Sequence, residues 1–100
     1  MEPREIPIMV VYDDPYRPVY YGALVSGTLT TAAVSTDRPE TTTDAWKDCL
    51  LEFLTGPNTG AVKPIGGFSG NGSVGTFTFK TGYTLPATPT VGNKFRIITR

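Results

Sequence analysis

One hundred residues fit one domain, whose single core would bury about 65% of the surface of the unfolded chain. Nine basic and nine acidic residues give zero formal charge with no basic stripe, which excludes the electrostatic footprint of a nucleic-acid-binding surface. The lack of histidine and the single Cys49 exclude nucleophile–histidine catalysis, an intramolecular disulfide and a zinc site of several thiolates.

Residues 1–22 read as an extended Pro/Tyr-rich arm, and residues 23–100 as a small β-domain. Pro3, Pro7, Pro15 and Pro18 forbid a helix there and disfavour a central strand. The run Ile6 to Tyr12 is too short and too broken by Pro7 to be a signal peptide or a bilayer span. A chain made and kept in a cytosol is expected. That run is also too apolar to stay solvated, so it needs a surface to cover. Two readings stand: Ile8–Tyr12 as a first strand of the domain, or an arm packed on a neighbouring subunit. The second puts Ile6, Ile8, Val10, Tyr12, Tyr16 and Tyr20 in an interface between subunits.

Ala23–Ser35 reads as one strand or a bent pair, with Leu24, Val25, Leu29 and Val34 among threonines and small residues. A polar loop, Thr36–Thr43, follows. In Asp44–Thr55 the apolar residues Ala45, Trp46, Cys49, Leu50, Phe53 and Leu54 recur at helical spacing. That periodicity favours a helix of about three turns, with Asp44 as its N-terminal cap and Gly56 ending it. Ala61–Phe68 reads as a strand with a bulge at Pro64, and Gly66-Gly67 with Gly70-Asn71-Gly72 as the hairpin after it. Gly75–Thr81 alternates Phe77 and Phe79 against Thr76, Thr78 and Lys80. Leu85–Val91 holds Pro86 and Pro89 and reads as a crossing segment. Lys94–Thr99 closes the fold with Phe95 and Ile97 inward. Eleven glycines, nine prolines and many threonines fit this pattern. The expected class is all-β: a partly closed barrel or sandwich of five or six short strands with an extended N-terminal arm. Phe53, Ile65, Phe77, Phe79, Phe95 and Ile97 are its expected core, with Trp46 at the edge.

No catalytic, cofactor-binding or metal-ligating set emerges, so an enzyme and a bound cofactor are not expected. Asp13-Asp14 suits a solvated turn better than a calcium loop. Asp44 and Asp48 suit turn caps better than paired acids. The Gly66–Ser73 stretch lacks the Lys-Ser/Thr ending and the following helix of a phosphate loop. Cys49 reads as a small buried hydrophobe.

The order of elements carries a resemblance. It runs from the Thr-rich strand through Asp44-Ala45-Trp46 and the apolar strand ending at Gly56. Then come the Gly60-led strand, Gly75-Thr76-Phe77-Thr78-Phe79 and Gly92-Asn93-Lys94-Phe95-Arg96-Ile97. This resembles a small β-domain of accessory virion proteins of tailed bacteriophages, over roughly residues 22–99. Such domains occur in capsid decoration (cement) proteins and in tail and fibre proteins. The resemblance implies a turn-then-strand path after Asp44 and a binding role without catalysis. Its implied partners are the major capsid protein or other virion proteins, in a homo-oligomer such as a trimer, with no nucleic acid and no membrane. It implies location in the virion after synthesis in the bacterial cytoplasm. A tail, fibre or baseplate component is the alternative. So is a peptide- or sugar-binding module gripping through Tyr83, Phe68 and the N-terminal tyrosines.

Overall fold

The computed structural model describes residues 19–99. They form six antiparallel strands: β1 (Val19–Leu29), β2 (Ala33–Thr36), β3 (Leu50–Phe53), β4 (Val62–Gly70), β5 (Gly75–Phe79) and β6 (Lys94–Ile98). The strands close into a barrel in the order β1-β2-β5-β4-β3-β6, and no helix is present among the described residues. The all-β expectation holds, and the barrel is fully closed.

Closure depends on two bent strands. The first half of β1 pairs with β6 and its second half with β2. The first half of β4 likewise pairs with β3 and its second half with β5. Each corner holds an irregularity. In β1 the register shifts between Leu24 and Leu29, around Gly27 at φ 140°. In β4 the extra residue lies between Ile65 and Gly67, so the bulge falls at Gly66 and not at Pro64. A Cβ on Gly66 would sit 3.1 Å from the Lys80 backbone, tighter than an ordinary contact, so this corner favours a residue without one. Pro64 has no N–H to donate, but its carbonyl accepts from the Lys80 N–H at 3.0 Å and ties the corner to the end of β5.

Gly66 and Gly67 therefore lie inside a continuous strand rather than in a hairpin. The turn sits beyond Gly70, where Asn71 Oδ1 accepts from the Ser73 and Val74 N–H groups. The helical spacing of 44–55 also resolves as turn then strand. Asp44 and Asp48 adopt φ 59° and 71°, conformations that a helix interior does not allow. Asp44 Oδ1 accepts from the Phe68 N–H at 3.2 Å, and the Asp44 N–H donates to the Phe68 carbonyl at 2.8 Å. Asp48 pairs with Lys80 at 2.7 Å. Both acids thus serve the turn, which lies along the outer edge of β4. β1 begins at Val19, so Val19–Gly22 belong to the barrel.

The core is one cluster. It holds Phe53, Ile65, Phe77, Phe79, Phe95 and Ile97, with Trp46 at 8% exposure, as alternation predicts. Leu24, Val34, Leu51, Phe68 and Leu85 join it. Cys49 is half-buried against the cluster. The rings meet edge-on or tilted: Phe68–Phe77 at 4.9 Å, Phe77–Phe95 at 5.8 Å and Phe53–Phe79 at 6.5 Å between centroids. Leu85 and Pro89 bury the crossing segment, and Asn58 holds Ala87 through both its N–H and its carbonyl.

Phe79→Ala should lower stability by about 3–5 kcal/mol, as expected for truncating a core Phe. Thr78→Ala on the outward face should change it by less than about 0.5 kcal/mol. Urea denaturation of both variants checks this. The opposite ranking would place β5 one residue out of register.

Candidate functional site

The inner side of the barrel is filled by the core cluster, so any site lies on its outer side. On the half formed by β1, β6, β3 and β4, alternation leaves the residues between the core positions facing outward. The pairing aligns them in cross-strand rows. One row is Val19–Ile98–Leu50–Pro64. The next is Tyr21–Arg96–Glu52–Val62. Ala23 opposite Lys94 begins a third, which Leu54 extends by donating its N–H to the Lys94 carbonyl at 2.8 Å. The first row is apolar throughout and half-buried. In the second, Tyr21 and Val62 are 60% and 43% exposed.

An ion pair lies at the centre of this face. Arg96 Nε donates to Glu52 Oε1 at 2.6 Å, and both side chains are largely covered. Burial works against the Arg96 charge, but the Glu52 carboxylate and Tyr21 outweigh it and raise the pKa of the guanidinium. The pair neutralises itself and leaves its neighbours' apolar groups as the outward surface. Three interstrand spacings make the face about 14 Å wide. Tyr21 and Val62 are the exposed apolar members of this face, one on each side of the covered ion pair.

A second cluster fixes the start of β1. The Tyr20 ring packs against Trp46 at a tilt of 59°, with centroids 4.9 Å apart. The Arg38 guanidinium lies over both rings, 5.7 Å from Tyr20 and 5.4 Å from Trp46. Arg38 also pairs with Glu40 and donates to the Tyr21 carbonyl at 3.1 Å. Trp46 Nε1 donates to Glu40 Oε1 at 3.2 Å. Asp37 continues this contact, accepting from the Ala23 N–H at 3.0 Å. Residues 37–40 thus cover the edge of β1 that β6 leaves open. The hydrogen bond from Arg38 lowers the Glu40 pKa against a smaller opposing effect of burial.

Of the predicted interface residues, Ile6, Ile8, Val10, Tyr12 and Tyr16 lie outside the described residues. Tyr20 is described, and it packs within its own chain on Trp46. Phe68, a candidate grip for a peptide or sugar, is buried in the core at 3% exposure, so that role is corrected. Tyr83 is exposed. A separate open groove of about 390 Å³ is lined by Lys47, Gly66, Thr78 and Lys80 among others. Its Lys80 already pairs with Asp48, which reduces its cationic character. Among the described residues no group of three or more acidic or cysteine side chains is placed to hold a metal ion. Among the described residues no helix is long and apolar enough to cross a membrane. Sequence reasoning missed the outward rows. The signal was present in Leu50-Leu51-Glu52-Phe53-Leu54, where apolar residues occupy both faces of one short strand. Comparison with protein-family models, curated proteins and solved structures finds no match to the chain.

Glu40 should show in the acid limb of stability. Its folded-state pKa lies below the ordinary value of 4.5, so the unfolded state binds the proton first as pH falls. The stability that Glu40 contributes is complete above that ordinary value and is lost as pH drops through the lower folded value. Glu40→Gln should flatten the fall in thermal midpoint in this window. An unchanged slope would show that Arg38 and Trp46 do not hold the carboxylate in solution.

Proposed function

We propose that the chain is a structural protein of a tailed-bacteriophage virion, a decoration protein that binds the assembled head and stabilises it. The observation that carries the reading is the outer face of β1, β6, β3 and β4, where the apolar row Val19–Ile98–Leu50–Pro64 lies beside the exposed Tyr21 and Val62 and the Arg96–Glu52 ion pair. A closed barrel offers few unpaired strand edges to a partner, so side chains on its outer face are the natural means of contact. Zero net charge removes long-range repulsion between copies crowded on a shell. The order of strands adds the resemblance to accessory virion domains. A protein that bridges shell subunits favours the assembled state by its binding free energy, and many copies act together. Its partners would be the major capsid protein and further copies of itself.

A tail, fibre or baseplate component would use the same face and differ only in its neighbour. The peptide- or sugar-binding reading is weaker, because Phe68 is committed to the core.

Heads stripped of the protein, or assembled without its gene, should release packaged DNA at a lower temperature than intact heads. Adding the protein back should restore their resistance. Unchanged heat resistance, with the protein located on the tail, would overturn head decoration and favour the tail component.

A further inference from the structure

The chain has three asparagines, and the fold treats one of them differently. Asn58 and Asn93 are buried, and each uses both ends of its amide. Asn58 Oδ1 accepts from the Ala87 N–H at 2.9 Å, while its Nδ2 donates to the Ala87 carbonyl at 2.8 Å. Asn93 Oδ1 accepts from the Thr90 N–H, and its Nδ2 donates to Thr90 Oγ1, both at 3.0 Å. Asn71 instead lies exposed in the turn between β4 and β5, and Gly72 follows it.

Three features of this turn bear on the chemistry of the Asn71 amide. Its Oδ1 accepts from the Ser73 N–H at 2.9 Å and the Val74 N–H at 2.8 Å, so two backbone donors polarise the side-chain carbonyl. Its Nδ2 and the Gly72 N–H make no hydrogen bond among the described residues. Gly72 sits at φ 96° with open space beside it, where a Cβ would come no closer than 3.8 Å to Thr41 Cγ2. A nucleophilic nitrogen, an unbound leaving group and a pair of donors on the carbonyl oxygen thus meet on one exposed turn.

We propose that Asn71 is a site of spontaneous deamidation, promoted by the folded turn. The Gly72 nitrogen adds to Asn71 Cγ and gives up its proton. Negative charge gathers on Oδ1, where the Ser73 and Val74 N–H groups already point. The Cγ–Nδ2 bond then breaks, Nδ2 takes up a proton and leaves as ammonia, and a cyclic imide remains. Water opens the imide at one of its two C–N bonds, its hydroxyl going to the carbon and its proton to the Gly72 nitrogen. Opening at Cγ leaves an aspartate at position 71. Its carboxylate accepts the same two N–H groups more strongly, so the turn persists. Opening at the main-chain carbon leaves isoaspartate and reroutes the backbone through Cγ. Either product takes the formal charge of the chain from zero to one negative.

The test incubates the full-length chain at mildly alkaline pH, with Trp46 fluorescence verifying that it stays folded. A peptide spanning residues 66–76 in the same buffer is the unstructured reference. Conversion is followed by ion exchange and located by peptide mass mapping, with Asn71→Asp as the chromatographic standard. Asn71 should convert about fivefold faster in the folded chain than in the peptide, which is what one net hydrogen bond in the transition state is worth. Asn58 and Asn93 should stay intact in the same samples. A rate in the folded chain equal to or below that of the peptide would overturn the proposal, because the reactivity would then belong to the Asn-Gly sequence alone. So would conversion at Asn58 or Asn93 ahead of Asn71.

Discussion

Barrel closure by two bent strands is the constraint on which the rest of the structure depends. β1 and β4 each serve both halves, and each turns its corner at an irregularity. At Gly66 the extra residue lets Ile65 and Phe68 both face inward although they are three apart. Without it, alternation would turn one of them outward. Phe68 could then no longer pack against Phe77. The bend also sets which residues of β4 remain on the β3 side. Pro64 and Val62 stay there and complete the two outward rows.

The same closure explains why the polar loop after β2 is so heavily bonded. Where β1 leaves β2 and joins β6, one of its edges lacks a strand partner, and residues 37–40 fill the gap with side-chain and backbone bonds. Arg38 spans Tyr20, Trp46, Glu40 and the Tyr21 carbonyl, so the loop, the turn and the strand are fixed together. Gly70 belongs to this arrangement. A Cβ there would lie 2.1 Å from the Glu40 carbonyl oxygen. The Trp46 ring thus acts as structural anchor and places Tyr20 on the inner side of β1, which leaves Tyr21 on the outer side. The position of the outward rows follows from a cluster on the opposite side of the same strand.

Much of the fold was legible in the residues. Phe77 and Phe79 alternate with Thr76 and Thr78, and Phe95 and Ile97 alternate with Lys94 and Arg96, so their inward faces could be read directly. The stretch from Asp44 to Leu54 could not be read from pattern. Its apolar residues fit a helix because Leu50 and Leu54 face outward while Leu51 and Phe53 face inward, so two surfaces are superimposed in one run. The bulge was misplaced for a related reason. Pro64 is the evident breaker, yet it keeps its place opposite Leu50, while Gly66 provides the close approach to Lys80. The outward rows depend on register across four strands, which no single segment reveals. Tyr20 and Tyr21 show the limit most plainly: adjacent in sequence, one packs against Trp46 and the other faces outward beside Arg96.

The central claim is that the outer face of β1, β6, β3 and β4 is covered in the working protein. Hydroxyl-radical footprinting of the full-length chain, free and bound to heads, tests this most directly. Tyr21 and Tyr83 have similar exposure in the single chain, 60% and 51%. On heads Tyr21 should be strongly protected, together with Val62, while Tyr83 and Val91 label freely, and the free protein should label Tyr21 and Tyr83 alike. Equal labelling of Tyr21 and Tyr83 on heads would contradict the account.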